Sequence, residues 1–399
     1  MIRPRLLLVA LVASAPLSAA APSSSSSAEK DEPFHYPCCK LADGAELNYV
    51  NDLPVLTVSG SPEQIGAAVG SLALKPSARI LSYTRDLLRA DGIEFTWPLF
   101  VANGKGMAKH IPAEYRAEMD AIAKASGADP DVVTVANTFF DLKNTFECSA
   151  LLIEAPRSAT GGVLFGRNLD YPSMGYIHQH TLVTVYRPTG KHAFVSVGFP
   201  GLVGVLSGMN DAGLCLAVLE VYDAKDGEPR YNGQGVPYAL CHRRLLEDCT
   251  TIAEAKKVLE SMPRTSLLNL AIADKTGTAV FEITPKQVVQ RSSEQAVCTC
   301  TNHFCSAAVR PAAEDVPFNS VGRLHTLDKV RGGEAKLGVE DLHQQLHAVN
   351  QGVETLQTMV FEPANLRLHL AFGKMPASAG QLHELDLAPL FKGEMKKSD

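Results

Sequence analysis

The sequence predicts an α+β fold in which helical layers pack on antiparallel sheets, because blocks of helix and blocks of strand succeed one another without the regular alternation that a parallel sheet requires. Helical periodicity dominates from Ser61 to about residue 145, strand-like segments follow in a run from Ser149 to Val221, and helices return from Tyr238 onward. With 399 residues, 46% of them hydrophobic and 20% charged, the chain can bury a large core.

The first helix opens at Ser61-Pro62-Glu63-Gln64, which supplies a cap, a proline at the first position and a capping-box glutamine. It follows a short strand from Leu53 to Val58. Ile80, Leu81, Leu87 and Leu88 mark a second amphipathic helix, and a third runs from Pro112 to Ser126 with Gly127 as its stop. Asp129-Pro130 starts a fourth. The strands then read Ser149 to Ala155, Gly162 to Leu169, His180 to Arg187, His192 to Gly198, Val203 to Met209 and Leu214 to Val221. Helices follow from Tyr238 to Glu247 and from Ile252 to Ser261, the latter with Thr251 and Glu254 as a capping box. A hairpin around Asp274-Lys275-Thr276-Gly277, a helix from Val339 to Val349 and a strand pair around Asn365 complete the chain.

Arg3 and Arg5 precede an apolar run from Leu6 to Leu17, and small residues follow, which reads as a signal peptide over 1–20 and predicts a secreted or periplasmic protein. Pro22 and the serines 23–27 begin a flexible leader over 21–50. Residues 51–147 then form a mainly helical N-terminal segment, and 148–399 the catalytic domain. No later stretch is apolar for long enough to span a bilayer, so stable membrane insertion is not expected. A formal charge of −6 leaves no basic surface for phosphates and argues against nucleic acid as a partner.

Nine cysteines, an odd number, imply at least one unpaired thiol in an oxidising compartment. Cys148 is the candidate. Cys38-Cys39 and the cluster Cys298, Cys300 and Cys305 can form disulfides in several connectivities. With His303 inside it the cluster also admits a metal or redox reading, although structural zinc sites usually carry two separated ligand pairs. No cofactor is expected.

Cys148 begins a strand after a helical segment, and Arg167 and Asp170 lie at the end of the strand that pairs with it. A cysteine at a chain terminus is its own acid–base pair, since its α-amine can take the thiol proton while a neighbouring arginine favours thiolate. Arg167 suits that role, and Asp170 can hold the amine or orient Arg167. Taken alone, the same residues equally describe a buried strand cysteine beside a turn salt bridge.

The wider pattern is similar to a known family. Gly166-Arg167-Asn168-Leu169-Asp170, Gly208-Met209-Asn210-Asp211-Ala212-Gly213-Leu214, Thr301-Asn302-His303 and Ser320-Val321-Gly322-Arg323-Leu324 resemble motifs of the acyl-coenzyme A:6-aminopenicillanate acyltransferase-like cysteine hydrolases of the N-terminal-nucleophile class, relatives of bile salt hydrolases, penicillin V acylases and acid ceramidase. Gly60 to Gly66 with Gly70, and Ile111 to Tyr115, look like that family's propeptide segments.

The resemblance implies a four-layer αββα sandwich with two antiparallel sheets, preceded by a helical propeptide that the protein removes itself between Glu147 and Cys148. It implies Cys148 as nucleophile, Asn302 as oxyanion donor, Glu220 at the position of a catalytic-site residue, and Arg323 as a residue holding the site or a substrate carboxylate. Glu220 also reads as a solvated strand-end carboxylate, and Arg323 as a surface arginine at a helix start. The implied reaction is hydrolysis of a small-molecule linear amide through a thioester. Acyl transfer to an amine, and an exported noncatalytic binding protein, are the alternatives. The two self-cut fragments are expected to stay associated. This sequence departs from the family in a longer Cys148-to-Arg167 spacing and in having Glu147 where a small residue is usual.

Overall fold

The computed structural model describes residues 32–143, 147–225, 227–312 and 316–393. The predicted signal peptide and the start of the leader lie outside them. Sixteen strands form two sheets: β1 (Cys39–Lys40), β2 (Glu46–Val50), β3 (Leu53–Gly60), β4 (Glu147–Ile153), β5 (Leu164–Asp170), β6 (Leu182–Pro188), β7 (Phe194–Gly198), β8 (Ser207–Asn210), β9 (Cys215–Glu220), β10 (Leu268–Ala273), β11 (Thr278–Ile283), β12 (Val288–Ser292), β13 (Val297–Cys300), β14 (Thr355–Glu362), β15 (Arg367–Phe372) and β16 (His383–Asp386). The larger sheet has the order β1-β2-β3-β6-β7-β8-β9-β10-β11-β12, the smaller β13-β4-β5-β14-β15-β16.

The α-helices are α1 (Pro62–Val69), α2 (Tyr83–Ala90), α3 (Trp97–Ala108), α4 (Ala113–Ser126), α5 (Pro130–Ala136), α6 (Phe139–Leu142), α7 (Tyr238–Asp248), α8 (Ile252–Ser261), α9 (Ser320–Asp328), α10 (Val339–His347) and α11 (Ala388–Lys392). Their ends obey local chemistry. Ser61 and Gln64 close a capping box on α1, Thr251 and Glu254 another on α8, and Gly127 ends α4 with φ 76, a left-handed conformation that suits glycine.

Alternation along β4 builds the layers. Leu151 and Ile153 face outward onto Leu327 of α9 and Leu342 of α10, while Ala150 and Leu152 join the larger core shared with the other sheet. Gly166 of β5 lets Leu342 and Leu346 approach on one side, and Gly208 of β8 admits Leu246 of α7 on the other. Helices, two facing sheets and helices again make the expected four-layer α+β arrangement.

Two expectations are corrected. Residues 32–50 are not wholly a flexible leader, because β1 and β2 pair onto β3 and Tyr36 is fully buried, its hydroxyl donating to the His180 carbonyl at 2.9 Å. Nor is the larger sheet purely antiparallel: β3 lies parallel to β6, from Val55 opposite Val183 to Gly60 opposite Pro188. The mainly helical N-terminal segment thus donates β3, joined by β1 and β2 of the predicted leader, to a sheet whose other members lie beyond Cys148. Its helices α1 and α4 pack backbone to backbone through Gly66, where a Cβ would sit 2.3 Å from the Glu118 carbonyl oxygen. Among the described residues no helix is long and apolar enough to cross a membrane.

Candidate active site

Even-numbered residues of β4 point between the sheets, so Cys148 is fully buried there and faces β9 rather than solvent. Nη2 of Arg167 donates to its Sγ at 2.8 Å. Arg167, also fully buried, lies on the neighbouring strand β5 and is aimed by carbonyls of the opposite sheet: Nη1 donates to Leu206 at 3.3 Å and Nη2 to Val218 at 3.1 Å, with the Ser207 hydroxyl as a further acceptor. Asp170 does not orient it by a hydrogen bond. This corrects one of the two roles considered for Asp170, because three backbone oxygens, the Ser207 hydroxyl and Sγ already take the guanidinium's donors.

Asn302 follows β13 and is locked on both ends. Its Oδ1 accepts from the Cys148 backbone N–H at 2.8 Å and from Nη2 of Arg323 at 2.9 Å, while Nδ2 donates to the Glu220 carbonyl at 2.9 Å. Ser320 accepts from the Asn302 backbone N–H at 2.9 Å and fixes the turn. Arg323, from the first turn of α9, also donates to the Cys148 carbonyl at 2.7 Å and to the Ser149 hydroxyl at 2.8 Å. At 3% exposure it is no surface arginine. Glu220 is likewise not solvated: it is 1% exposed and accepts from the Tyr238 hydroxyl at 2.8 Å. The five other site residues singled out in the sequence therefore gather around Cys148.

Burial dominates the electrostatics around the thiol. Burial pushes Cys148 up to about 11; Arg167 and the Asp170 backbone N–H act in the other direction, and the charges of Asp170 and Glu220 add to the rise. Arg167 favours thiolate, as its residue type implies, but desolvation outweighs one guanidinium. Asp170 is raised to about 7 by burial, against the Thr355 hydroxyl, Arg323 and Arg167. Burial, then the neighbouring Glu354, carries Glu147 to about 8, and Arg323 and Gln351 oppose it.

Residues without a sequence signature complete the site. Nε2 of Gln351 donates to Glu147 at 2.6 Å and to the Phe318 carbonyl at 3.1 Å. Phe318 and Asn319 carry φ 60 and 50, and the Phe318 ring lies 5.6 Å from that of Tyr222, whose phenol is raised by burial and by the charges of Glu220, Glu147 and Cys148. All nine cysteines are free thiols, and Cys298 and Cys300 are core residues of β13. Among the described residues no three His, Cys, Asp or Glu side chains group as metal ligands.

The raised carboxyls set a sign for stability. Asp141, Asp170 and Glu147, at about 7, 7 and 8, hold protons in the folded state that the unfolded chain has released, so stability falls as pH rises towards 8. His180, His242 and His303, lowered to about 4, 3 and 4, are neutral when folded and lose stability as pH drops below about 6.5. Below about pH 6.5 the two sets oppose each other and nearly cancel, and above it only the carboxyls act, so the denaturation midpoint of the full-length chain is expected to change little from pH 5 to 6 and to fall from pH 6.5 to 8. A midpoint that climbs steadily from pH 6.5 to 8 contradicts these assignments.

Two facing sheets between helical layers, with a strand-initial cysteine held against an arginine, define an N-terminal-nucleophile type of fold. Residues 157–376 match the family model of acyl-coenzyme A:6-aminopenicillanic acid acyl-transferase, and the chain belongs to that family. The match begins past Cys148. An uncharacterized protein of Archaeoglobus fulgidus is 25% identical over 291 residues, 63% of this chain and 48% of that protein. Rat acid ceramidase (Rattus norvegicus) is 26% identical over 175 residues, 39% of this chain and 43% of that protein. The matched region thus spans about half the length of these relatives. A solved Caenorhabditis elegans ortholog of N-acylethanolamine-hydrolyzing acid amidase is 16% identical, with 54% of this chain and 93% of that chain covered and a TM-score of 0.42.

Proposed function

We propose that the protein is an exported, self-processing cysteine amidohydrolase that cuts its own Glu147–Cys148 bond and then hydrolyses a linear amide through a thioester. The observation that carries this reading is the contact of Arg167 with Cys148 Sγ at 2.8 Å, beside an Asn302 amide already bound to the Cys148 nitrogen. In maturation Sγ attacks the Glu147 carbonyl, the C–N bond breaks, and water releases the thioester. The Cys148 nitrogen, a nonbasic amide before the cut, becomes an α-amine with a reference pKa near 8. A base thereby arises next to the thiol, still facing Oδ1 of Asn302.

In turnover that amine takes the thiol proton and passes it to the leaving amine. Nδ2 of Asn302 and backbone N–H groups stabilise the tetrahedral oxyanion. Arg323 and Glu220 hold Asn302 and, with Tyr238, keep the site dry. Acyl transfer to an amine would use the same thioester, and the family description favours keeping it as the second reading. Export favours water as acceptor, because coenzyme A thioesters are cytoplasmic.

The two fragments stay together on this reading, supported by the β3–β6 pairing and by Arg243, which binds Glu118 across the cut. Expression of the full chain tests the proposal. Two species of roughly 14 and 27 kDa are expected by residue count, the larger beginning at Cys148 and the pair hydrolysing an amide. A larger fragment that starts elsewhere, or an uncut chain without hydrolysis, overturns it.

A further inference from the structure

Self-cutting makes Glu147 the first acyl group that Cys148 carries, because the thioester joins the Glu147 carbonyl to Sγ. The site of its side chain therefore maps the ground that a substrate acyl group can occupy. That ground is polar and built. Glu147 is 5% exposed, and Gln351 Nε2 donates to its Oε2 at 2.6 Å. Gln351 is fixed in turn: Nε2 also donates to the Phe318 carbonyl at 3.1 Å, and its backbone N–H to the Thr355 hydroxyl at 2.8 Å.

Phe318 presents that carbonyl from a left-handed conformation, φ 60, and Nε of Arg323 donates to the same oxygen at 3.3 Å. An amide donor so held favours an acceptor over an alkyl chain, since a buried donor left unpaired is costly. Burial raises Glu147, so its carboxyl can also meet the nearby Glu354 and Asp170 as a protonated group.

We propose that, given the amidohydrolase reading, this acyl site selects acyl groups that end in a carboxyl or carboxamide three carbons beyond the reacting carbonyl, the glutaryl class. A glutamyl residue and a glutaryl group share that spacing atom for atom. In the reaction Sγ adds to the glutaryl carbonyl, the C–N bond breaks and the amine leaves with a proton. Water then cleaves the thioester to free glutarate and restore the thiol.

The test uses the processed protein and three p-nitroanilides, N-glutaryl, N-succinyl and N-pentanoyl. The glutaryl compound is expected to exceed both others at least tenfold in kcat/KM. Gln351→Ala is expected to bring the glutaryl-to-pentanoyl ratio close to one, chiefly through KM. Free glutarate is expected to inhibit competitively at lower concentration than pentanoate, a readout that needs no variant. Hydrolysis of the pentanoyl compound as fast as the glutaryl one, or an unaltered ratio in Gln351→Ala, overturns the selection and leaves the amidohydrolase reading standing. If the processed protein hydrolyses no amide at all, both fall together.

Discussion

Cys148→Ala is expected to leave the protein as one chain and to take amide hydrolysis to the background rate. Both losses follow from one atom. Sγ is the group that Arg167 contacts at 2.8 Å, and the next side chain facing the same way on β4 is Ala150, which carries no nucleophile. Alanine fills most of the volume of cysteine, and Cys148 makes no side-chain contact on which the strand pairing of β4 with β5 depends. Folding should therefore survive, and circular dichroism of the uncut variant should match that of the parent. Removing a nucleophile typically costs a factor of about a million in kcat.

Cys148→Ser separates the two steps. Its hydroxyl is a weaker nucleophile at neutral pH, so slow cutting with little turnover is expected. A Cys148→Ala protein that still divides into two fragments and hydrolyses its substrate removes the nucleophile assignment. One that divides but is inactive keeps Cys148 as the nucleophile of turnover and removes it from the cutting.

Local chemistry made much of this molecule legible. The caps at Ser61 and Thr251 and the left-handed Gly127 involve partners within four residues, and the period-2 pattern of β4 assigns each side chain to a face without knowledge of the rest. The site residues were legible because Arg167, Asp170, Asn302 and Arg323 each sit in a recognisable run. Their partners were not. Arg167 is aimed by the carbonyls of Leu206 and Val218, and a carbonyl belongs to every residue type. Gln351 reaches Glu147 across 204 positions.

The parallel joining of β3 to β6 leaves no mark either, because a strand's own sequence does not name its neighbour. Helix α3 carries Gly104 and Gly106, which obscure its periodicity; Gly104 is there because a Cβ would lie 3.0 Å from the Thr138 hydroxyl. Glu147 departs from the small residue usual before the nucleophile, and the departure has a structural counterpart in Gln351. Sequence alone could flag the first and not the second.

Arg243→Ala is expected to destabilise the uncut chain by about 3–5 kcal/mol and to loosen the two fragments once the chain is cut. Arg243, 2% exposed on α7, binds Glu118 of α4 at 2.7 Å, Glu247 at 2.8 Å and the Val203 carbonyl at 3.1 Å. Its guanidinium lies 4.9 Å from the ring centres of Tyr115 and Tyr186, and the Tyr115 hydroxyl donates to Glu247 at 2.7 Å. Glu118 and Tyr115 precede Cys148 and the others follow it, so the network joins the two sides of the proposed cut.

Truncating the arginine leaves two buried carboxylates facing each other. Burial already raises Glu118 and only Arg243 holds it down, so the variant must take up a proton or expose the pair. Replacing all three charges with apolar residues of similar volume removes that penalty and is expected to recover most of the loss. Urea unfolding in the Cys148→Ala background reads the first effect on a single chain, free of fragment association. Size-exclusion chromatography of the cut protein reads the second, as an earlier loss of the smaller fragment on dilution in urea. A change below about 1 kcal/mol in the single variant would assign the holding of the two halves to contacts outside this network, the β3–β6 pairing among them.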